Sequence, residues 1–434
     1  MDGDVRRQAL CCVSGEWLAG LGDVCLAFTG IPRKLVMLIH SFPSAIFAVF
    51  CVVLGSLTAS CGVVAEDPDF ELLWPDGAPG ATGDADADRP GLWVYPAAGQ
   101  SSGTAIIICP GGGYGIHAVD HEGVQPARFF NRMGVTAFVL RYRLAPYRHP
   151  IPLNDALRAI RFVRAHAAEY KVEPDRIGIM GFSAGGHLAS TALTLYSSAG
   201  ADAGDPIDGH SSRPSFGILG YPVISFSADF AHRGSARNLL GPDASAEQLA
   251  ALSSDRNVTE DTPPTFLFHT AEDTGVPPEN SLAFFAACRR HGVPAELHVY
   301  QQGPHGVGLA PEHPALQSWI GAAGTWLRQN ALLASGVRRA VTGTVQFRGQ
   351  PLRWGSIALR PRSPHLPHAW AMVRDGKFSI AQAAGPLAGE YDVVVTDMGA
   401  VQPSPTVADS RILPGTQTVV VSDTDLKLDL NYSE

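Results

Sequence analysis

The sequence predicts an α/β domain, in which a mostly parallel sheet is flanked by helices, followed by a small all-β sandwich. Several apolar runs are too dense for simple alternation, which is typical of strands buried on both faces of a parallel sheet. Segments with helical periodicity separate these runs, and short strand-like segments replace both after residue 341. The predicted buried strands are Thr104–Cys109, Val135–Leu140, Arg176–Met180, Phe216–Leu219 and Thr265–His269.

Length and composition limit the class of protein. The chain has 434 residues, more than a single domain of about 100–200 residues requires, and 45% of them are hydrophobic. A formal net charge of −9 provides no basic surface for a phosphate backbone, which argues against nucleic acid as a partner. Five of the seven cysteines precede residue 62, a distribution that fits neither a disulfide framework nor a zinc cluster.

Residues 1–65 are predicted to be an N-terminal extension that carries an export signal. No Asp, Glu, Lys or Arg occurs from position 35 to position 65, and the apolar run Ala45–Leu57 follows Arg33 and Lys34. Cleavage before Glu66 would release the protein, whereas an uncleaved segment of this length would be a membrane anchor. We therefore expect an exported protein, periplasmic or extracellular, with anchoring through this segment as the alternative.

The α/β domain is predicted to occupy residues 66–333. Its start, residues 66–100, is rich in Pro, Gly and Asp, which indicates an irregular lead-in that ends in a short strand at Leu92–Tyr95. The clearest helix is predicted at Pro152–Tyr170, where apolar residues recur on one face at helical spacing.

The all-β sandwich is predicted to occupy residues 341–434 as an accessory domain. Its strand-like segments are separated by Gly, Pro and Asp turns, including the hairpin sequence Arg374-Asp375-Gly376. It contains no cluster of titratable residues that suggests chemistry. A stabilising or adhesive role is therefore favoured over a catalytic one.

A Gly-x-Ser-x-Gly pattern around Ser183 follows the predicted strand Arg176–Met180 and precedes a helix expected to begin near Leu188. In this strand–turn–helix context the pattern predicts a nucleophile elbow. The sharp turn lifts the Ser183 hydroxyl above the sheet, and the Ala184 N–H can face a developing oxyanion at the helix N-terminus. Ser183 is therefore the predicted nucleophile.

A serine nucleophile needs a base and an acid, which follow it along the chain in this fold. Asp273 lies in the loop after the predicted strand Thr265–His269 and is the predicted acid, with Glu272 as the adjacent alternative. His305 lies in a Gly- and Pro-rich loop after the predicted strand Glu296–Tyr300, which suits an exposed imidazole. His305 is the predicted general base, and Asp273 would fix its tautomer.

A glycine loop follows the first predicted buried strand, with the sequence Pro110-Gly111-Gly112-Gly113. This is the position of the second half of an oxyanion hole, where glycines let backbone N–H groups approach the substrate. A phosphate-binding loop is the alternative, but the chain contains neither of the two common nucleotide-binding glycine patterns.

Six sequence blocks occur in order between residues 70 and 330: PGGGY, DHEG, YRLAP, GFSAGGHLAS, HTAEDTGVPPENS and GPHGVGLA. With these blocks the chain resembles the α/β-hydrolase esterases grouped as acetyl xylan esterase-like and bacterial feruloyl-esterase-like proteins. The resemblance implies an α/β-hydrolase fold. By the match to related hormone-sensitive-lipase-like enzymes, which have His where this chain has Pro110, it implies an oxyanion hole formed by Gly112, Gly113 and Ala184. The C-terminal segment resembles carboxypeptidase-regulatory-like β-sandwiches.

The other residues of interest have competing interpretations. Asp120, His121 and Glu122 suggest a metal site, but consecutive side chains cannot easily reach one ion, so hydrogen bonding behind the glycine loop is favoured. Tyr114 is predicted either to bind substrate in the acyl pocket or to pack. Cys109 is expected to be a buried, inert thiol. No metal and no cofactor is expected.

These residues predict a secreted serine carboxylic-ester hydrolase that acts through an acyl-enzyme. The family resemblance implies that its substrates are acetyl esters of xylan-like polysaccharide or small acyl esters. A prolyl-oligopeptidase-like serine peptidase is an alternative, although residues 66–100 are too short for the propeller of such enzymes. A non-catalytic carbohydrate-adhesion protein is another. The insertion Ser197–Pro214 is a candidate to cover the pocket mouth, in which case its deletion would alter substrate preference more than stability.

Overall fold

The computed structural model describes residues 68–99, 101–198, 204–334, 336–363, 365–399 and 411–433. The predicted export signal and the five N-terminal cysteines lie outside these residues. No helix within the described ranges combines the length and the apolarity that a bilayer crossing needs.

The first part of the described chain is built on an eight-stranded sheet with the order β1-β2-β4-β3-β5-β6-β7-β8. From β3 onwards all pairings are parallel, whereas β1 and β2 extend one edge in antiparallel fashion. The strands are β1 Asp69–Leu72, β2 Gly91–Tyr95, β3 Ala105–Cys109, β4 Thr136–Arg141, β5 Ile177–Phe182, β6 Gly217–Gly220, β7 Thr265–Thr270 and β8 Ala295–Tyr300.

Helices cover both faces of this sheet. They are α1 Gln125–Arg132, α2 Ile151–Ala165, α3 Ser183–Thr194, α4 Arg233–Leu240, α5 Ala246–Ala251, α6 Glu279–Arg290 and α7 Pro314–Gln329. The apolar faces of α2, α3 and α6 form one core with the sheet, and α1 and α7 form a second core on the opposite face. Successive residues of β3 alternate between them, because Ile107 belongs to the first core and Ile106 and Ile108 to the second. The dense apolar runs are explained by this burial on both faces.

Three details of the predicted elements differ from the structure. α2 ends at Ala165 rather than residue 170, because the chain then forms turns and Lys171 takes the left-handed φ of 55°. α3 begins at Ser183 itself rather than near Leu188, since the elbow turn leads directly into the helix. The lead-in contains the additional strand β1, a four-residue edge strand whose partner β2 is distant in sequence.

The elbow packs directly on the end of β3. A Cβ atom placed on Gly185 would lie 2.1 Å from the carbonyl oxygen of Cys109, so no other residue fits between α3 and β3. The glycine at this position therefore allows the nucleophile turn and the loop after β3 to lie side by side.

The predicted all-β C-terminal domain is confirmed. In the described part of the chain its strands join into one nine-stranded sheet, antiparallel except for the β17–β9 pair, around its own apolar core. The strand with the sequence AWAMVR was not predicted, because its apolar residues face both the core and solvent. The strands are β9 Val341–Phe347, β10 Gln350–Pro351, β11 Trp354–Pro361, β12 Ala369–Arg374, β13 Lys377–Ile380, β14 Gly389–Asp397, β15 Arg411–Ile412, β16 Gln417–Val421 and β17 Leu426–Tyr432.

The described residues of the insertion at 197–214 contact the flank of α2, which favours a packing role over the predicted cover of the pocket mouth. The insertion follows the C-terminal end of α3, and because a helix rises about 1.5 Å per residue, that end lies roughly 17 Å from Ser183 along the axis. Asp205 and Asp208 form ion pairs with the buried Arg158 of α2 at 2.5 and 3.0 Å. These contacts give the segment a packing role on the flank of α2.

Candidate active site

Ser183 stands at the junction of β5 and α3. Its backbone adopts φ 52°, a left-handed conformation that non-glycine residues rarely take and that is typical of a nucleophile at a sharp strand–helix turn. Its side chain lies in a largely buried position, with 6% of the residue exposed. The local fold therefore presents the hydroxyl above the carboxyl end of β5, as the sequence predicts.

Three side chains that are distant in sequence form one hydrogen-bonded line. The Ser183 hydroxyl donates to Nε2 of His305 over 2.8 Å, and Nδ1–H of His305 donates to Oδ2 of Asp273 over 2.7 Å. The three residues follow β5, β8 and β7, so they meet at the carboxyl edge of the parallel sheet. These distances suit a nucleophile, a base and an acid that orients the base.

The Asp273 carboxylate is buried and accepts hydrogen bonds on both oxygens. The N–H groups of Gly275 and Val276 donate to Oδ1 over 2.9 and 2.8 Å, while Nε2 of His269 lies 3.4 Å from Oδ2. Burial raises the pKa of the Asp273 carboxyl, but hydrogen bonds from His269 and His305 outweigh burial and hold this pKa below its usual value. Asp273 is therefore ionised at neutral pH.

The adjacent carboxyl group of Glu272 does not join this line. Its Oε2 accepts a long hydrogen bond of 3.3 Å from the N–H of Gly303, near the start of the loop that carries His305. The structure thus brings Asp273, and not Glu272, to the imidazole.

The loop after β3 leaves two backbone N–H groups available beside Ser183. The Gly111 carbonyl accepts from the Ala118 N–H over 3.0 Å, and the Gly112 carbonyl accepts from the N–H groups three and four residues further on, over 3.0 and 3.1 Å. Because N–H and C=O of a peptide unit point in opposite directions, these bonds direct the Gly112 and Gly113 N–H groups away from the turn. Within the described residues neither N–H has an acceptor.

Two further features support the same loop conformation. Gly112 has φ 122°, and a Cβ atom there would lie 2.2 Å from the Ile116 carbonyl oxygen, so the turn requires glycine. Asn238 of α4, which the sequence did not single out, donates from Nδ2 to the Gly113 carbonyl over 2.8 Å. Ala184 lies in the first turn of α3, where N–H groups have no acceptor inside the helix.

Glu122 hydrogen-bonds the glycine loop from behind, as predicted. Its Oε2 accepts from the Gly111 N–H over 2.8 Å, which removes that N–H from the candidate oxyanion donors and leaves those of Gly112 and Gly113. Burial raises the pKa of the Glu122 carboxyl, and its hydrogen bonds oppose that shift. Neither this triplet nor any other group of His, Cys, Asp or Glu among the described residues has the arrangement of a metal site.

Tyr114 packs beneath the glycine loop. Its residue is 1% exposed, and its hydroxyl donates to Nδ1 of His187 over 2.9 Å, while Nε2–H of His187 donates to the Leu252 carbonyl over 2.7 Å. Burial lowers the pKa of His187 to about 4. This arrangement favours the packing alternative for Tyr114 over substrate binding. Cys109 is fully buried, and burial raises the pKa of its thiol, as expected for an inert cysteine.

Comparison with known proteins relates this geometry to a family. Residues 93–287 match the family model described as BD-FAE. An acetyl ester-xyloside bifunctional hydrolase from Caldicellulosiruptor lactoaceticus has a solved structure with a TM-score of 0.57 and 42% sequence identity; the match covers 60% of this chain and 96% of that one.

Two curated relatives are similar over about half of this chain. Endo-1,4-beta-xylanase B of Butyrivibrio fibrisolvens is 35% identical over 236 residues, 54% of this chain and 36% of that protein. An acetylxylan esterase of Xylanibacter ruminicola is 34% identical over 231 residues, 52% of this chain and 46% of that protein. The matched region thus spans less than half of each relative's length.

Proposed function

Because the chain belongs to the BD-FAE family of α/β hydrolases, we propose that it is a serine carboxylic-ester hydrolase acting through an acyl-enzyme. The observation that carries the proposal is the line of hydrogen bonds from Ser183 through His305 to Asp273, beside the unpaired N–H groups of the glycine loop in the described structure. Hydrolysis of an ester through an acyl-enzyme requires a nucleophile, a base and oxyanion donors in one place.

In the first half of the reaction, Ser183 Oγ attacks the ester carbonyl carbon while Nε2 of His305 takes the hydroxyl proton. The negative charge that develops on the carbonyl oxygen is stabilised by the N–H groups of Gly112, Gly113 and Ala184, and Asp273 stabilises the imidazolium. Collapse of the tetrahedral intermediate breaks the bond to the alcohol, which leaves with the proton held by His305.

In the second half, water attacks the acyl-enzyme. His305 accepts a proton from the water as it adds to the carbonyl, the same N–H groups stabilise the second oxyanion, and Ser183 leaves with the proton from His305. The acid and the regenerated enzyme are the products, and no cofactor takes part in either half.

We further propose acetyl groups on xylan-like polysaccharide or on small alcohols as the substrate class. The support comes from the names of the similar proteins, an acetylxylan esterase and an acetyl ester-xyloside hydrolase. A carbohydrate-adhesion role without catalysis would not need the aligned Ser183, His305 and Asp273.

The decisive test compares wild type with Ser183→Ala on p-nitrophenyl acetate and on acetylated xylo-oligosaccharides. We expect release of acetate by the wild type and a loss of at least about 10⁴-fold in the variant, which lacks the nucleophile. Wild type that is inactive on every ester would contradict the proposal. Hydrolysis of proline-containing peptide amides but not of esters would favour the peptidase alternative.

We also propose export, on the sequence of residues 33–65 alone. Expression of the full chain in a bacterial host, followed by N-terminal sequencing of the periplasmic or secreted protein, tests this. We expect a mature protein that starts near Glu66. Retention of the intact chain in the cytoplasm would contradict export, and intact chain in the membrane fraction would favour the anchor.

A further inference from the structure

We propose that Glu122 and Tyr221 are positioning residues that join the glycine loop to the loop carrying His305, so that oxyanion donors and base keep one geometry. The proposal rests on the proposed ester hydrolysis and deepens it. We call the set formed by Glu122, Tyr221 and the N–H groups of Gly111 and Gly308 the Glu122 brace.

Three hydrogen bonds form the Glu122 brace. One carboxylate oxygen of Glu122 accepts from the Gly111 N–H over 2.8 Å, and the other accepts from the Tyr221 hydroxyl over 2.8 Å. The oxygen of Tyr221 in turn accepts from the Gly308 N–H over 2.8 Å. Gly308 lies three residues after His305, so the three bonds lead from one catalytic loop to the other.

Direct packing at Gly308 and at Tyr221 adds to the hydrogen bonds between the two catalytic loops. A Cβ atom on Gly308 would lie 2.3 Å from the His121 carbonyl oxygen, so the histidine loop touches the backbone next to Glu122. The ring of Tyr221 meets the imidazole of His305 edge to face, with 5.1 Å between centroids and an angle of 71°. Tyr221 therefore contacts the base as well as its loop.

The burial of the Glu122 brace is difficult to explain by stability alone. Glu122 is 2% exposed and Tyr221 is 1% exposed. A buried carboxyl group is costly, and an apolar pair of the same volume often stabilises a fold as well or better. Polar groups in this place instead supply directional bonds to two loops that both carry reacting groups.

The backbone at both brace residues is unusual. Residues Asp120–Val124 form a single wide π-helical turn, and Tyr221 takes a left-handed φ of 34°. Such conformations persist only where surrounding contacts determine them, and they occur frequently at functional sites. Here they place the Glu122 carboxylate and the Tyr221 hydroxyl between the two catalytic loops.

We expect loss of the Glu122 brace to lower kcat and to leave substrate binding nearly unchanged. Oxyanion donors stabilise the transition state only if they are fixed before the reaction, and a displacement of about 1 Å can cost about 100-fold in rate. The two loops follow β3 and β8, which are separated in the sheet, so the brace limits their independent movement.

The test uses Tyr221→Phe, Glu122→Gln and the double variant in the full chain. We expect kcat for p-nitrophenyl acetate to fall about 10- to 100-fold in each single variant, with KM within about twofold of wild type. The double variant should lose no more than about threefold beyond the worse single variant, because both remove the same connection.

A second readout needs no substrate. A fluorophosphonate probe labels Ser183 when its oxygen bonds to phosphorus, fluoride leaves and His305 takes the hydroxyl proton. The labelling rate, followed by mass spectrometry, should fall by about the same factor as kcat, since the same two loops act.

Tyr391→Phe is the matched control. Tyr391 is a buried tyrosine of the C-terminal domain, and its hydroxyl oxygen also accepts from a backbone N–H, that of Leu387, over 3.2 Å. We expect this variant to lower the urea midpoint of unfolding about as much as Tyr221→Phe does, and to keep the wild-type kcat. That outcome separates positioning from a general loss of stability.

Wild-type kcat and labelling rate in folded Tyr221→Phe would overturn the proposal, as would multiplicative losses in the double variant. If Glu122→Gln does not fold, Tyr221→Phe decides, because it keeps the ring and removes only the hydroxyl. If the wild type reacts with the fluorophosphonate probe but hydrolyses no acetyl ester, the proposed substrate is wrong. The labelling rates of the variants then still test the Glu122 brace. Wild type that does neither would contradict both proposals.

Discussion

The loop after β7 carries two neighbouring carboxyl groups whose surroundings differ. Oδ2 of Asp273 lies 2.7 Å from Nδ1 of His305. Oε2 of Glu272 instead accepts a hydrogen bond of 3.3 Å from the Gly303 N–H. Consecutive side chains point in different directions, so only one of them can reach the imidazole. The two N–H groups on Oδ1 of Asp273 then fix that carboxylate in place.

We expect Asp273→Asn to lower kcat by about 10⁴-fold, because an amide does not stabilise the imidazolium and favours the wrong tautomer of His305. Glu272→Gln, the matched control one residue away, should stay within about threefold of wild type. Steady-state kinetics on p-nitrophenyl acetate at neutral pH measure both. Equal losses in the two variants would contradict the assignment of the acid.

Among the elements, α2 and α3 determine what surrounds the insertion at 197–214. Arg158 of α2 has its guanidinium buried, with Nε donating to the Leu73 carbonyl over 3.1 Å and with Asp205 and Asp208 as ion-pair partners. The described part of the insertion therefore neutralises a buried cation on the flank of the sheet. Such a position predicts an effect on stability and none on selectivity.

We expect Asp205→Ala to lower the free energy of unfolding by about 1–2 kcal/mol, because Arg158 loses a partner while Asp208 remains. The ratio of kcat/KM among acetyl, butyryl and feruloyl esters should not change. Asp243→Ala, at an exposed acidic residue, is the control. Urea unfolding and the ester panel provide the measurements, and altered selectivity without a loss of stability would refute this assignment.

Over the entire described chain, the apolar residues form separate cores. The sheet of β1–β8 has one core on each face, and the C-terminal strands enclose a third that shares no residue with them. Each part has its own buried residues and so its own source of stability.

We expect Ile107→Ala and Ile357→Ala to lower different unfolding transitions. Both side chains are fully buried, Ile107 in the eight-stranded sheet and Ile357 in the C-terminal sheet, so each truncation should cost about 2–5 kcal/mol locally. Scanning calorimetry measures the two midpoints, and esterase activity followed on heating identifies the transition of the catalytic part. A single transition that both variants lower equally would show that the parts unfold together.

Much of the candidate site was predictable because its residues occupy positions with recognisable local patterns. Ser183 lies in a glycine-bounded turn between a strand and a helix, and Asp273 and His305 lie in loops that follow strands. Tyr221 and Asn238 were not predicted, since nothing local marks them. For Tyr221 the one signal was its place directly after β6, at the edge where the catalytic loops meet.

Local sequence was sufficient for the buried strands of the parallel sheet, the nucleophile turn and the set of candidate catalytic residues, because strand burial and sharp turns constrain residues that are neighbours in the chain. It did not predict β1 or the strand Ala369–Arg374. Contacts between distant segments decided which carboxyl group faces His305, which N–H groups of the glycine loop stay unpaired, and where the insertion lies. The reason is that an interaction such as that of Glu122 with Tyr221 joins residues 99 positions apart, and only packing brings them to hydrogen-bonding distance.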